Sequence, residues 1–286
     1  MNTRRRAIIM LLPALFVLVT IACYPIVRTL ALSLFKISLA TRFETEFIGL
    51  ANYDRALSDS RLWQSLRNTA IFTFSSVTLE FIMGLAGALI LHQRFRGRGT
   101  IRAVAMLPWA LPTAVMALAW SWIFNDAFGV LNDILLRLGL IKEAIAWLGQ
   151  PNTAMVAMII ADVWKTAPFM MIIMLAGLQT IPEDLYEAIR LDGASWWQEF
   201  RLITLPLLRP ALLLALLFRT IAAFGVFDLV FILTGGGPGG ATETVSLYAY
   251  TNYFRYLDFG YGATVVVVGF LLLLAISIVI YRPEND

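Results

Sequence analysis

Six apolar runs of about 20 residues or more recur along this 286-residue chain, and that is the length a helix needs to cross a bilayer core. They fall at roughly 7–34, 68–92, 102–125, 153–178, 208–233 and 260–281. Hydrocarbon offers no partner to a free backbone N–H or C=O, so such segments cross as helices rather than open strands or loops. The fold class is therefore all-α: a polytopic membrane protein with six transmembrane helices in one domain, 1–286. Composition agrees, with 59% hydrophobic and 14% charged residues against about 45–50% and 25% in soluble domains. A soluble enzyme core, a nucleic-acid binder and a disordered segment are excluded, because none keeps this much apolar surface out of water.

The charges between the runs set an orientation. With odd-numbered spans entering from inside, the N-terminus, the 93–101 loop with Arg102 at its edge, the 179–207 loop with Arg209, and the tail carry eleven basic and seven acidic residues. The opposite loops carry eight basic and nine acidic ones. Lys and Arg accumulate on the cytoplasmic side, so Arg4–Arg6 and the Arg94, Arg96, Arg98 cluster are expected inside, with both termini. A bacterial or archaeal cytoplasmic (inner) membrane is the expected location. Arg4–Arg6 before an apolar stretch also resembles a cleavable signal, but the run continues past Cys23 and Pro25 to Leu34 and five more follow. One cysteine and one histidine, Cys23 and His92, supply neither a disulfide nor a metal cluster.

In the outer loops, Asn52 is expected to cap a short helix after Gly49, and Trp63 to rest at headgroup level. The run Gly235–Gly240, GGGPGG, lacks a Lys and follows no strand, so it reads as a flexible turn and not a phosphate cradle. The stretch at 242–257 is aromatic and amphipathic (Tyr248, Tyr250, Tyr253, Phe254, Tyr256), suited to a membrane surface or an outer partner.

Residues 181–206 are too polar to span and read as helix, turn, helix. Pro182 fits a first helical turn, and Glu183 and Asp184 sit at the positive end of its dipole. Asp192-Gly193 stops that helix. Ser195 with Gln198 makes a capping box for a second helix, expected to end before Pro206. The pair presents Leu185, Ala188, Ile189, Trp196 and Trp197.

Glu187-Ala188, Asp192-Gly193-Ala194, Phe200, Ile203 and Leu205-Pro206 resemble, in type and spacing, the EAA loop of binding-protein-dependent ABC importer permeases. Ile189 departs from the usual Ala. FIGLANY (47–53), VWKTAPF (163–169) and LTGGGP (233–238) extend the resemblance to maltose-type carbohydrate importers, on the side of the first of their two permeases. The resemblance implies a type I importer permease fold and a heterodimer with a second permease. It further implies two copies of a cytoplasmic ATPase, an extracytoplasmic solute-binding protein, and a sugar or glycoside as solute. Leu185, Glu187, Ala188, Asp192, Gly193 and Ala194 would then dock the ATPase. No GxxxxGK[ST] motif is present, so this chain is expected to be non-catalytic and to bind no cofactor, with ATP and Mg on the partner ATPase.

An ionisable group at bilayer depth reads as functional by default. Asp162, Lys165, Thr166 and Phe169 recur at helical spacing on the fourth span, and Arg219, Ala222, Ala223 and Val226 on the fifth. By resemblance these stripes wall a sugar pocket, with Trp164 or Phe169 stacking on the sugar and the charged groups bonding hydroxyls. Asp162, Lys165 and Arg219 sum to one positive charge, which leaves room for an anionic sulfonated or phosphorylated glycoside beside a neutral one. A structural ion pair is the competing reading for the same groups. Arg28, Glu80 and Asp228 read as ion pairs or subunit contacts. The alternative function is an ion-coupled secondary transporter using Asp162 or Glu80, although the repeats and broken helices of that class are not visible.

Overall fold

The computed structural model describes residues 3–281, with side chains from residue 10 onward, so the expected placement of Arg4–Arg6 and of the tail lies outside the described side chains. The helices are α1 (Met10–Leu32), α2 (Ala51–Ser58), α3 (Ser60–His92), α4 (Arg98–Ala110), α5 (Thr113–Ile123) and α6 (Val130–Arg137). There follow α7 (Pro151–Leu178), α8 (Glu183–Leu191), α9 (Trp196–Phe224), α10 (Asp228–Leu233), α11 (Val245–Tyr250) and α12 (Phe259–Ile280). Among the described residues five helices are long and apolar enough to cross a membrane, or six if α4 and α5 count as one broken span.

That break corrects the third expected run, 102–125, which is bent by 90° and not straight. Pro112 lacks an N–H and pushes the residue before it out of helical geometry, and Leu111 is accordingly extended at ψ 138°. The fifth run shifts too. The helix after Ser195 does not stop before Pro206 but continues through a wider turn at Phe200–Thr204 into Leu205–Phe224. The wide turn absorbs the missing proline N–H. This helix ends at Phe224; residues 225–227 form a link, and Asp228–Leu233 is the separate α10.

The chain forms two compact units. In the unit of residues 64–244 with 273–281, α7 packs along α9. Small residues let backbones approach where lipid supplies no hydrophobic drive. A Cβ on Gly177 would lie 2.4 Å from the Ala211 Cβ, and one on Gly84 would lie 2.7 Å from the Met170 Cβ. Around these crossings Leu91, Met170, Met174, Leu178, Leu208 and Leu212 are buried. The turn at 235–240 is ordered, not loose. Gly235, Gly236, Gly239 and Gly240 adopt left-handed φ, the Thr242 hydroxyl donates to Gly237 O at 2.7 Å, and Asn68 Nδ2 donates to Gly240 O at 2.8 Å.

In the unit of residues 3–63 with 245–272, Phe35–Lys36 pairs antiparallel with Glu46–Phe47. Asn52 is not a cap: it is buried in the first turn of α2, and its amide donates to Ser33 O at 2.9 Å and Phe35 O at 3.0 Å. Asp59 is the capping residue, accepting the Arg61 and Leu62 N–H groups at the start of α3. The hydroxyls of Tyr248 (2.6 Å) and Tyr261 also donate to Asp59. Burial alone would raise the Asp59 carboxyl, but these four donated bonds outweigh it and hold the group below the usual range. Burial, and then Asp59 itself, pushes the Tyr248 phenol up to about 12. Tyr248 therefore turns inward, while Phe254 and Tyr256 of the same aromatic stretch remain exposed.

Candidate transport site and coupling loop

Three helices of one unit meet at a buried charge cluster. Arg219 of α9 donates from Nη2 to Glu80 Oε1 of α3 at 2.9 Å, and its Nε bonds the other Glu80 oxygen. Nη2 also bonds Asp162 of α7. All three residues are buried, with Glu80 at 0% exposure. Thr166 Oγ lies 2.7 Å from Glu80 Oε1 and 2.6 Å from the Asp162 carbonyl, and its single proton serves one of them at a time. One guanidinium thus faces two carboxylates.

The expected face Asp162, Lys165, Thr166, Phe169 divides. Asp162 and Thr166 turn into the cluster, whereas Lys165 and Phe169 turn toward the broken third span. Lys165 Nζ donates to Thr113 Oγ at 2.8 Å, and Phe169 stacks on Trp109 with ring centroids 5.8 Å apart. Trp109 and Trp164 are both half exposed, at 45% and 43%. On α9, Arg219 and Ala223 are buried and Ala222 is exposed. Val226 does not continue that stripe, because the helix ends at Phe224 and Val226 lies in the link to α10.

The +1 sum drawn from Asp162, Lys165 and Arg219 is corrected as well. Glu80 is the fourth member, and with it the charges balance. Of the other ionisable groups in the runs, Arg28 and Asp228 are exposed rather than buried in ion pairs. Glu80, read from sequence as an ion pair or subunit contact, is indeed a buried ion pair, whereas sequence reasoning did not single out Trp109 or Thr113.

At the loop joining α7 to α9, α8 ends in the left-handed Gly193, φ 76°, and Ala194 N–H returns to Ile189 O at 3.2 Å. Ser195 and Gln198 form the reciprocal cap that starts α9. Arg190 grips Glu199 through two 2.8 Å bonds, closing the hairpin. Tyr186 points inward, its hydroxyl 3.2 Å from Thr204 Oγ. Outward stand Leu185, Glu187, Ala188, Asp192 and Gly193, with Ala194 half buried. Leu191 is 89% exposed, and Trp196 and Trp197 also face outward. Large apolar side chains held outward on a rigid polar loop mark a contact surface.

Residues 66–282 match the family described as binding-protein-dependent transport system inner membrane component. The chain belongs to that family. The trehalose/maltose transport system permease protein MalF of Thermococcus litoralis is 47% identical over 271 residues, covering 95% of this chain and 90% of that protein. The sulfoquinovosyl glycerol transport system permease protein SmoG of Agrobacterium fabrum is 40% identical over 282 residues, covering 99% and 91%. The permease also superposes on a chain of a bacterial alginate ABC transporter solved with a pentasaccharide-bound periplasmic protein, at a TM-score of 0.84 and 20% identity, covering 99% of this chain and 95% of that one. This permease is a multi-pass membrane protein with the type I importer fold, as its EAA-like loop implied. The ion-coupled alternative gains nothing, since Arg219 already engages both of its candidate carboxylates.

Proposed function

We propose that this permease moves a sugar or glycoside, handed over by an extracytoplasmic binding protein, through a pathway shared with a second, similar permease. Two copies of a cytoplasmic ATPase supply the energy, with ATP and Mg bound there, and this chain is neither catalytic nor cofactor-bearing. The 93–102 link, the 181–206 loop and both termini face the cytoplasm. The observation that carries the reading is the rigid hairpin whose outward face offers Leu185, Ala188 and Leu191 at helical spacing, strapped between α7 and α9. Those two helices carry Asp162 and Arg219, so force applied at the hairpin reaches the charge cluster through continuous helix. Leu185, Glu187, Ala188, Asp192, Gly193 and Ala194 form the ATPase contact.

The solute is read from the exposed wall, with Trp109, Trp164 and Phe169 offering ring faces and Lys165 a donor. Asp162, Thr166, Arg219 and Ala223 support that wall from behind; Ala222 belongs to the exposed side and Val226 to the link that follows. With Arg219 engaged by two carboxylates, Lys165 is the cation of the site's four charged groups left to face the solute, so it is the residue that separates a neutral trehalose- or maltose-like solute from a sulfonated one. Uptake by the reconstituted four-part transporter tests both parts. Glu187→Ala should abolish ATP-driven uptake while leaving the purified chain folded, and wild-type uptake would refute the coupling assignment. Lys165→Met should lower uptake of neutral and sulfonated sugars alike; selective loss of the sulfonated one would assign Lys165 to an anionic solute.

A further inference from the structure

Below the core of the larger unit, α3, α4, α7, α8 and α9 enclose a cleft of about 990 Å³ that the transport reading does not use. Its walls are of two kinds. One is apolar, built from Ala86, Leu89 and Ile90 of α3, and it runs on into the exposed stripe of Ile82 and Met83. The other is basic, built from Arg94, Arg98, Arg102 and Arg190.

Two of these four guanidiniums are matched and two are not. Arg94 pairs with Glu183 at 2.6 Å and Arg190 with Glu199 at 2.8 Å. Arg98 and Arg102 meet no carboxylate among the described residues. Arg98 reaches the His92 and Gln93 carbonyls at 3.3 and 3.4 Å, and Arg102 reaches Leu91 O at 2.8 Å. These contacts finish the C-terminal end of α3 and leave most of the N–H groups free. Arg102 Nε is buried with no acceptor at all. Both side chains line the cleft, and the N–H groups that the carbonyls leave open are donors for an acceptor from outside the chain.

We propose that this cleft seats an anionic phospholipid of the cytoplasmic leaflet. Its phosphate accepts from Arg98 and Arg102, and an acyl chain lies along Ile82, Met83, Ala86 and Ile90. A soluble phosphate ester would meet the same arginines but has no use for the apolar wall that opens onto the membrane face. Because the opposite wall is the coupling hairpin (Glu183, Tyr186, Arg190, Glu199), bound lipid bridges the hairpin to α3 and ties its position to membrane composition. The proposal rests on the cytoplasmic placement of the 93–102 and 181–206 segments.

Native mass spectrometry of the assembled transporter, exchanged into phosphatidylglycerol or phosphatidylcholine micelles, tests it directly. Wild type should retain phosphatidylglycerol in preference to phosphatidylcholine. A basic residue at a charged surface contributes about 1 kcal/mol, so Arg102→Gln should weaken retention about fivefold and Arg98→Gln with Arg102→Gln about thirtyfold. Arg94→Gln, which disturbs a matched pair, should change it little. Unchanged retention in the single or the double variant overturns the site. Displacement of the lipid by millimolar glycerol 3-phosphate overturns the lipid assignment in favour of a free phosphate ester. Retention is read without transport, so failure here leaves the importer reading standing, and loss of uptake leaves retention measurable.

Discussion

Arg219→Met is the substitution with the largest expected effect on this chain's stability. It keeps most of the volume of the side chain but removes the guanidinium that pairs with both Glu80 and Asp162, each under one-tenth exposed. Breaking a buried pair by removing one partner costs about 3–5 kcal/mol, because the other charge stays behind without compensation. Here two charges stay behind, so the upper end of that range applies. Glu80→Gln is a milder change. The Arg219–Asp162 pair survives, and the amide oxygen still accepts from Thr166 or Arg219, so about 1–2 kcal/mol is expected. The gap of at least about 2 kcal/mol is some thirtyfold in the unfolding equilibrium. Combining Arg219→Met with Glu80→Gln and Asp162→Asn removes every charge and should recover much of the loss, since buried ion clusters contribute little over uncharged replacements. Unfolding of the purified chain in a single mild detergent, followed by circular dichroism, ranks the variants. If Arg219→Met is no less stable than Glu80→Gln, or the triple variant is as unstable as Arg219→Met, the cluster is not what secures these helices.

The glycines of the helices should respond with opposite signs. Gly177→Ala gains about 1 kcal/mol of helix propensity but drives a methyl to 2.4 Å from Ala211, so overpacking of about 1–3 kcal/mol should win; Gly99→Ala, with nothing within 4 Å, should be neutral or stabilising. Asp59 titrates below its unfolded value of about 3.9, so its stabilisation is complete above that pH and is lost as pH falls through the lower folded value. Asp59→Asn should flatten this acid limb of the stability curve, and an unchanged limb would reject the assignment. Tyr248 has the reverse dependence: its phenol stays protonated to about 12, so stability should fall as pH rises past the ordinary tyrosine value of about 10. Trp109→Ala should reduce sugar uptake with little loss of ATPase–permease assembly, measured by uptake and co-purification; undiminished uptake would remove Trp109 from the solute wall.

Much of this architecture was legible because the bilayer imposes a length and an exclusion on the sequence. Any run of 20 apolar residues had to be a helix, and Gly193 and the Ser195–Gln198 pair marked the hairpin with local chemistry alone. What local rules missed depended on which partner a side chain would meet. Asn52 looks like a cap by sequence, yet it serves carbonyls of Ser33 and Phe35, 19 and 17 residues earlier. Glu80 lies 139 residues from Arg219, and no periodicity within either helix predicts that pairing. The broken third span was a different kind of miss, since Pro108 and Pro112 stand four apart inside the run and already argue against one straight helix.

The charge cluster and the hairpin together constrain how this chain can move in the proposed importer. A cluster joining α3, α7 and α9 resists any motion that slides these helices past one another, because each Å of separation strips hydrogen bonds from charges that water cannot reach. The hairpin is the direct connection from α7 to α9, held by Arg190 on Glu199 and by Tyr186 against Thr204. Three helices clamped at the buried cluster, two of them strapped at one end, are expected to move as one piece. Displacement of the hairpin by an ATPase is then transmitted as rigid-body rotation against the second permease, and not dissipated in rearrangement within this chain. In that importer Glu80 and Asp162 set the stiffness of the lever, while Lys165, Trp109 and Phe169, which turn away from the cluster, are the groups proposed to meet the solute.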